Sequence, residues 1–136
     1  MDKIHCSIVT PEKVIASKEI DQIIAPGASG EFGILANHMP FISILDIGVI
    51  RLLYDNLQDK YVIGGGYLEF DNNSVNVLCD EVFTKDNITK DEALKMISKI
   101  ESRLKEEKPN TPEYESAYKE LEKYRYVINI LFEGEK

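Results

Sequence analysis

The feature that most constrains this chain is a change of hydrophobic period near residue 87. Before it, apolar and polar residues alternate in short runs broken by turn residues. These runs are "KIHCSIVT" before Pro11, "EIDQIIA" before Pro26-Gly27, "GVIRLLYDN", "KYVIGGG", "YLEF" before "DNNS", and "VNVLCDEVF". A period of two sends successive side chains to opposite faces of a strand, and several short strands at this spacing specify an all-β sandwich or barrel. "FDNNSV" reads as a hairpin, because Asn and Asp tolerate the left-handed backbone of tight turns. After Asn87 the period becomes 3.6. Thr89 and Glu92 form a capping-box pattern, and Ala93, Met96, Ile97, Ile100 and Leu104 recur as one stripe. "KEEKPNTPEY" ends that helix and starts another, with Thr111 as N-cap and Pro112 at the first helical position, where its missing N–H costs nothing. The second stripe runs Tyr114, Ala117, Tyr118, Leu121, Tyr124, Ile128 and Leu131. The expected organisation is a β half, residues 1–86, followed by an antiparallel two-helix hairpin, residues 87–136, in which each helix covers the other's apolar face.

With 136 residues, 43% apolar and 29% charged, the chain has the composition of a globular domain able to bury a modest core. Its net charge of −8 is unevenly placed. Residues 1–86 hold 13 acidic against 6 basic side chains, and residues 87–136 hold 11 against 10. An acidic front half repels phosphate backbones and anionic lipid, which argues against nucleic acid or a membrane surface as a direct partner. The longest apolar stretches, residues 41–54 and 126–132, are interrupted by Asp46, Arg51 and Asn129. A spanning helix needs about 20 apolar residues. The expectation is therefore an intracellular chain without membrane insertion. Cys6 and Cys79 alternate with Ile4 and Ile8, and with Val75 and Val77, which puts both thiols on buried strand faces as reduced core residues.

Two glycine groups attract a functional reading. "GASGEFG" spaces Gly27, Gly30 and Gly33 by three, and "GGG" occupies Gly64, Gly65 and Gly66. A phosphate cradle needs a strand, a glycine turn and a helix closed by Lys and Ser/Thr, and neither stretch supplies them. Positive-φ or close-approach positions account for the first group, and a bulge or bend for the second. His38 has only Glu31 as an acid within seven residues, so a turn residue bonding its own backbone is the better reading than a general base. With no CxxC and one other histidine, His5, no metal site is expected. The residues by themselves describe a binding or mechanical part with no catalytic constellation, cofactor or metal.

"GEFGILANHMP", followed by "GGGYLEF" and "VNVLCDEV" in a β half joined to a two-helix tail, resembles the epsilon subunit of F-type ATP synthases, the counterpart of the mitochondrial subunit called delta. The resemblance implies a β-sandwich of about ten strands at the foot of the central stalk. It would be a non-catalytic rotor subunit of a proton- or sodium-driven synthase, peripheral on the cytoplasmic face of the bacterial inner membrane. Its implied partners are the gamma subunit and the rotor-ring (c) subunits. Residues 30–40 would form the ring-facing loop, shaped by Gly30, Glu31 and Gly33 and closed by His38 and Pro40, with Glu31 available to basic groups on the ring. The tail resembles the family's regulatory element, which folds on the sandwich or extends to the alpha/beta head and restrains ATP hydrolysis. The family's nucleotide-binding pattern, Ile/Leu-Asp-x-x-Arg-Ala, is broken here at Thr89 and Glu92. No nucleotide-binding residue is therefore assigned.

"YVINILF" is apolar nearly all round, and Tyr126, Val127 and Ile130 lie mostly off the stripe that packs the hairpin. They form a possible head-contacting face or ordinary packing on the sandwich. The competing class is a free-standing small β-sandwich that binds a ligand and dimerises through its helical tail.

Overall fold

The computed structural model describes residues 2–134. It comprises a sheet unit ending at Val82 and a helical unit beginning at Phe83. The strands are β1 (Ile4–Val9), β2 (Val14–Ile20), β3 (Gln22–Gly27), β4 (Gly30–Leu35), β5 (Phe41–Tyr54), β6 (Leu57–Asp71), β7 (Ser74–Cys79) and β8 (Val82–Phe83). They pair in the order β2-β1-β7-β6-β5-β3-β4, with β8 on β6. The pairs on this path are antiparallel except β1 with β7, which is parallel.

Two long strands turn this sheet into a sandwich. β5 has 14 residues and β6 has 15. Their register passes from Leu45 opposite Gly66 to Ile47 opposite Gly64, skipping Asp46 and Gly65. Gly65 there has φ 97°, a conformation that costs a side-chain-bearing residue and that glycine adopts freely. The core-facing set changes phase across this kink, from Leu45 to Ile50 and Leu52 on β5, and from Ile63 to Leu68 and Phe70 on β6. β7 pairs with β6 beyond the kink, at Gly66–Asp71, while β3 pairs with β5 mainly at Arg51–Leu53. Counted by layer, β5 and β6 each serve twice, so eight continuous strands supply about ten strand segments.

Gly64–Gly66, expected as a bulge or bend, lie inside the continuous strand β6, at the place where its core-facing set changes phase. Gly66 adds a close approach, since a Cβ there would fall against the carbonyl oxygen of Leu78. The hairpin tips use paired left-handed residues, Asp55 and Asn56 between β5 and β6 and Asn72 and Asn73 between β6 and β7, as two-residue turns of this hand require.

One apolar cluster fills the interior. It includes Ile4, Cys6 and Ile8 of β1, Ile23 and Ala25 of β3, Ile34 of β4, and Val75, Val77 and Cys79 of β7. Both cysteines are free and buried. Lys18 on β2 reaches across the layers to Asp59 on β6 (2.5 Å), whose carboxylate also accepts from the Tyr54 hydroxyl on β5 (2.9 Å). Asp59 beside it holds the Lys18 ammonium above the usual lysine range. A charge that points inward is thus paired and keeps its proton.

In the helical unit, α1 (Lys90–Glu106) begins with the expected capping box. Glu92 N–H donates to Thr89 Oγ1 (3.1 Å), and Thr89 N–H donates to Glu92 Oε1 (3.0 Å). α2 (Pro112–Tyr126) begins with Thr111 Oγ1 accepting from Tyr114 N–H (3.2 Å). Ala93, Ile100, Ala117, Leu121 and Tyr124 are buried, but Tyr118, expected on the inner stripe, is 40% exposed and stacks on Tyr114. Residues Val127–Leu131 form a π-helical turn in place of a continued α-helix. Among the described residues no helix is long and apolar enough to cross a membrane.

Candidate docking surfaces

The segment 30–40 is not one shaped turn. Its first six residues are β4, an edge strand paired residue for residue with β3 from Gly27–Gly30 to Gln22–Leu35, and only residues 36–40 form the turn. The glycines disguised a strand. Two glycines fit crowded places: a Cβ on Gly27 would lie 2.8 Å from the Gly30 carbonyl oxygen, and one on Gly33 would lie 2.9 Å from Gln22 Nε2. Gly30 closes the β3–β4 hairpin with φ 128°. The expected site residues therefore fall into two groups. Gly30 and Glu31 sit at one end of β4, and His38 and Pro40 lie past its other end, about 17 Å away at the rise of a strand.

At the hairpin end, the Glu31 carboxylate is 63% exposed and stands 3.8 Å from Arg51 Nη1. A pair this open and this long contributes little to stability and leaves the anion free for another cation. At the turn end, Asn37 has φ 68° and His38 N–H donates to the Leu35 carbonyl (3.3 Å). His38 Nδ1 donates to the Met39 carbonyl (2.7 Å), and its ring stands edge-on to Phe41 and Phe70, 5.9 Å from each centroid. His38 is therefore spent on local backbone and aromatic contacts, as a turn residue would be.

One arrangement escaped the sequence reading. His5 Nδ1 lies 2.8 Å from Glu19 Oε1, and His5 Nε2 lies 3.4 Å from Ser17 Oγ, in the order of a hydrolytic triad. The three side chains stand exposed on the outer face of paired strands β1 and β2, open to water. Among the described residues there is no cluster of three or more potential metal ligands.

A second missed feature is an apolar row on the outer face of one layer. The register aligns Ile44 of β5 with Tyr67 of β6, Tyr67 with Leu78 of β7, Leu78 with Val9 of β1, and Val9 with Val14 of β2. Ile44 is 69%, Leu78 49% and Val14 60% exposed. A shallow cavity of about 370 Å³ opens on this row between Tyr67, Leu78, Thr10, Pro11 and Asp80. Exposed apolar residues scattered singly mean little, but five in register across five strands form a contiguous patch of the kind that marks a protein interface. In sequence these residues are outward members of alternating strands, and only the register shows them to be neighbours.

In the helical unit, Thr89 and Glu92 cap each other, so both side chains are committed to backbone N–H groups. Tyr126 is partly exposed, Ile130 is half-buried and Val127 is fully buried, so the three do not share one open face.

Residues 3–85 match the family described as ATP synthase, Delta/Epsilon chain, beta-sandwich domain. The chain belongs to that family. An ATP synthase epsilon chain of Carboxydothermus hydrogenoformans is 37% identical over 108 residues, covering 79% of this chain and 81% of the relative. One of Bradyrhizobium sp. (strain BTAi1) is 30% identical over 127 residues, covering 93% of each. The fold also matches a chain of the Euglena gracilis mitochondrial ATP synthase with a TM-score of 0.76 at 20% identity, over 92% of this chain and 79% of that one. A chain in the central stalk and c-ring structure of the Tetrahymena thermophila mitochondrial enzyme matches with 0.61 at 15% identity, over 93% and 96%. As an epsilon-type chain it is a non-catalytic subunit of the synthase, and the reading as a free-standing ligand-binding module gives way.

Proposed function

We propose that this epsilon-type chain is a rotor subunit that couples gamma to the membrane rotor ring of a proton- or sodium-driven synthase, at the cytoplasmic face of the bacterial inner membrane. The observation that carries the reading is the apolar row Ile44–Tyr67–Leu78–Val9–Val14, which gives the sandwich a flat face fit for a permanent subunit contact. Gamma docks on this face, and the nearby exposed Ile42 extends it. The β3–β4 hairpin, with Glu31 held only loosely by Arg51, turns its carboxylate to basic groups of the ring loops. The helical unit restrains ATP hydrolysis by reaching the alpha/beta head when it extends, with Tyr126, Val127 and Ile130 as the contacting residues. Val127 then becomes available only through rearrangement, since it is buried in the folded unit. No nucleotide is held at Thr89 and Glu92, whose side chains close the helix cap.

The test is reconstitution of the purified chain with gamma and with the ring. Tyr67→Ser combined with Leu78→Ser should weaken gamma binding at least tenfold, with the sheet still folded and unfolding cooperatively, because both side chains lie on its outer face. Glu31→Lys should leave gamma binding intact and weaken ring association. Gamma binding indifferent to the row, or ATP turnover that stays with the isolated polypeptide through repeated purification, would overturn the proposal.

A further inference from the structure

Lys123 is the one buried charged side chain among the described residues, 3% exposed on α2. Its ammonium donates to both carboxylate oxygens of Glu120 (2.8 and 2.9 Å). It also lies over two rings, 5.2 Å from the centroid of Tyr124 and 5.7 Å from that of Phe83, and those rings stand 5.6 Å apart. Phe83 is 40 positions away, in the segment that leads into α1. The same segment returns the interaction with reversed roles, since Lys85 Nζ lies 5.8 Å over the ring of Phe132, just past the π-helical turn. The segment itself is a fixed turn. Thr84 N–H donates to Asn87 Oδ1 (3.0 Å), Asn87 N–H donates to the Thr84 carbonyl (3.1 Å), and Asp86 N–H donates to Thr84 Oγ1 (3.2 Å).

We infer that residues 83–87 and the end of α2 form a cation–aromatic clasp, Lys123 on Phe83 and Lys85 on Phe132, that keeps the helical unit closed on its own connecting segment. A buried ammonium over aromatic faces is held by the ring quadrupoles and the Glu120 charge, yet it regains full hydration on leaving. Such a contact fixes one geometry through the attraction of charge to ring, and its ammonium is readily hydrated once released. It is suited to a tail that must let go. The regulatory use of the clasp rests on the proposed extension of the tail toward the catalytic head.

The test is hydrogen exchange of the full-length chain carrying Lys123→Met, Phe83→Leu, or both. Each change keeps an apolar side chain in place and removes one half of the cation–ring pair. Each single variant should speed exchange of the Thr84 and Asn87 amides and of the last α2 turn at least tenfold, with Ile50 and Val77 in the sheet unchanged. The double variant should be no faster than the faster single one, the signature of two groups acting through each other. Exchange within twofold of the parent, or additive acceleration in the double variant, would overturn the clasp. ATP hydrolysis by the complex assembled with Lys123→Met separates the two readings. Faster exchange with unaltered hydrolysis establishes the clasp and overturns its regulatory use.

Discussion

Asn37 and Asn73 bind each other reciprocally across two loops. The backbone N–H of Asn37 donates to Asn73 Oδ1 at 2.6 Å, and Asn73 Nδ2 donates to Asn37 Oδ1 at 3.0 Å. Both residues have positive φ, 68° and 57°. Asparagine satisfies both demands at once, since it tolerates the left-handed region and carries a donor and an acceptor on one short side chain. The turn that holds His38 is thereby fixed to the tip of the β6–β7 hairpin.

Asn73→Ala should cost about 1–2 kcal/mol in urea unfolding, from the lost amide pair and the strained φ together. Asn73→Gly keeps the conformation and loses only the side-chain bonds, so it should be less destabilised than the alanine variant. Equal losses in the two would show that backbone conformation contributes nothing here.

His38→Ala removes two edge-on ring contacts and the bond to the Met39 carbonyl. A loss of about 1–2 kcal/mol in stability is expected, with synthase activity of the assembled complex retained. A stable, assembled variant more than a hundredfold less active would assign chemistry to this imidazole.

The glycines separate into two kinds of intolerance. Gly66→Ala places a methyl group against the Leu78 carbonyl at the last pair of the β6–β7 ladder, Gly66 opposite Cys79, where the atoms it meets are mostly backbone. It should cost about 3 kcal/mol or more, in line with overpacking. Gly30→Ala meets no atom within 4 Å and suffers only from φ 128°, so about 1–2 kcal/mol is expected. Thermal unfolding of the two variants checks the order, and a milder effect at Gly66 would contradict the close approach.

Burial pushes both the Cys6 and Cys79 thiols from the ordinary 9.0 up to about 12. Below pH 9 the thiols are protonated in both folded and unfolded chains and add nothing to the pH dependence. Between pH 9 and 12 the unfolded chain releases thiol protons that the core retains, so stability falls as pH rises, by up to about 1.4 kcal/mol per pH unit for each thiol. Urea midpoints measured from pH 8 to 10.5 should bend downward above 9, and less so in Cys6→Ala/Cys79→Ala. Native protein should also resist thiol reagents until it unfolds, and rapid labelling at pH 8 would contradict the burial.

How much of this was legible in the sequence depended on whether a local rule and the tertiary environment agreed. The capping box at Thr89 and Glu92, Pro112 at the head of α2, the hairpin at Asn72-Asn73 and the core positions of both cysteines follow from chemistry within a few residues, and each stands where expected. Strand continuity did not, because glycine reads as an interruption. Gly48 and Asp46 hid the first half of β5, and Gly64–Gly66 split β6 in two, although both strands run through the kink. Gly30 and Gly33 likewise disguised β4. The apolar row could not be read at all, since register between strands far apart in sequence decides which outward residues meet. The π-helical turn at Val127–Leu131 replaced an α-helix whose local propensity gave no warning.

Every buried residue of the apolar cluster lies between Ile4 and Val82. The sheet therefore draws its core from its own strands, and the Lys18–Asp59–Tyr54 contacts that bridge its layers are also internal to it. A chain ending at Asp86 retains all of these together with β8. It should unfold in a single cooperative transition and still bind gamma with the affinity of the full chain, because the proposed docking row lies wholly within residues 9–78. Calorimetry and a gamma-binding titration of this truncation decide the matter. A broad transition without a heat-capacity peak would show that the helices complete the fold, whereas a sharp transition with lost gamma binding would move the docking surface into the helical unit.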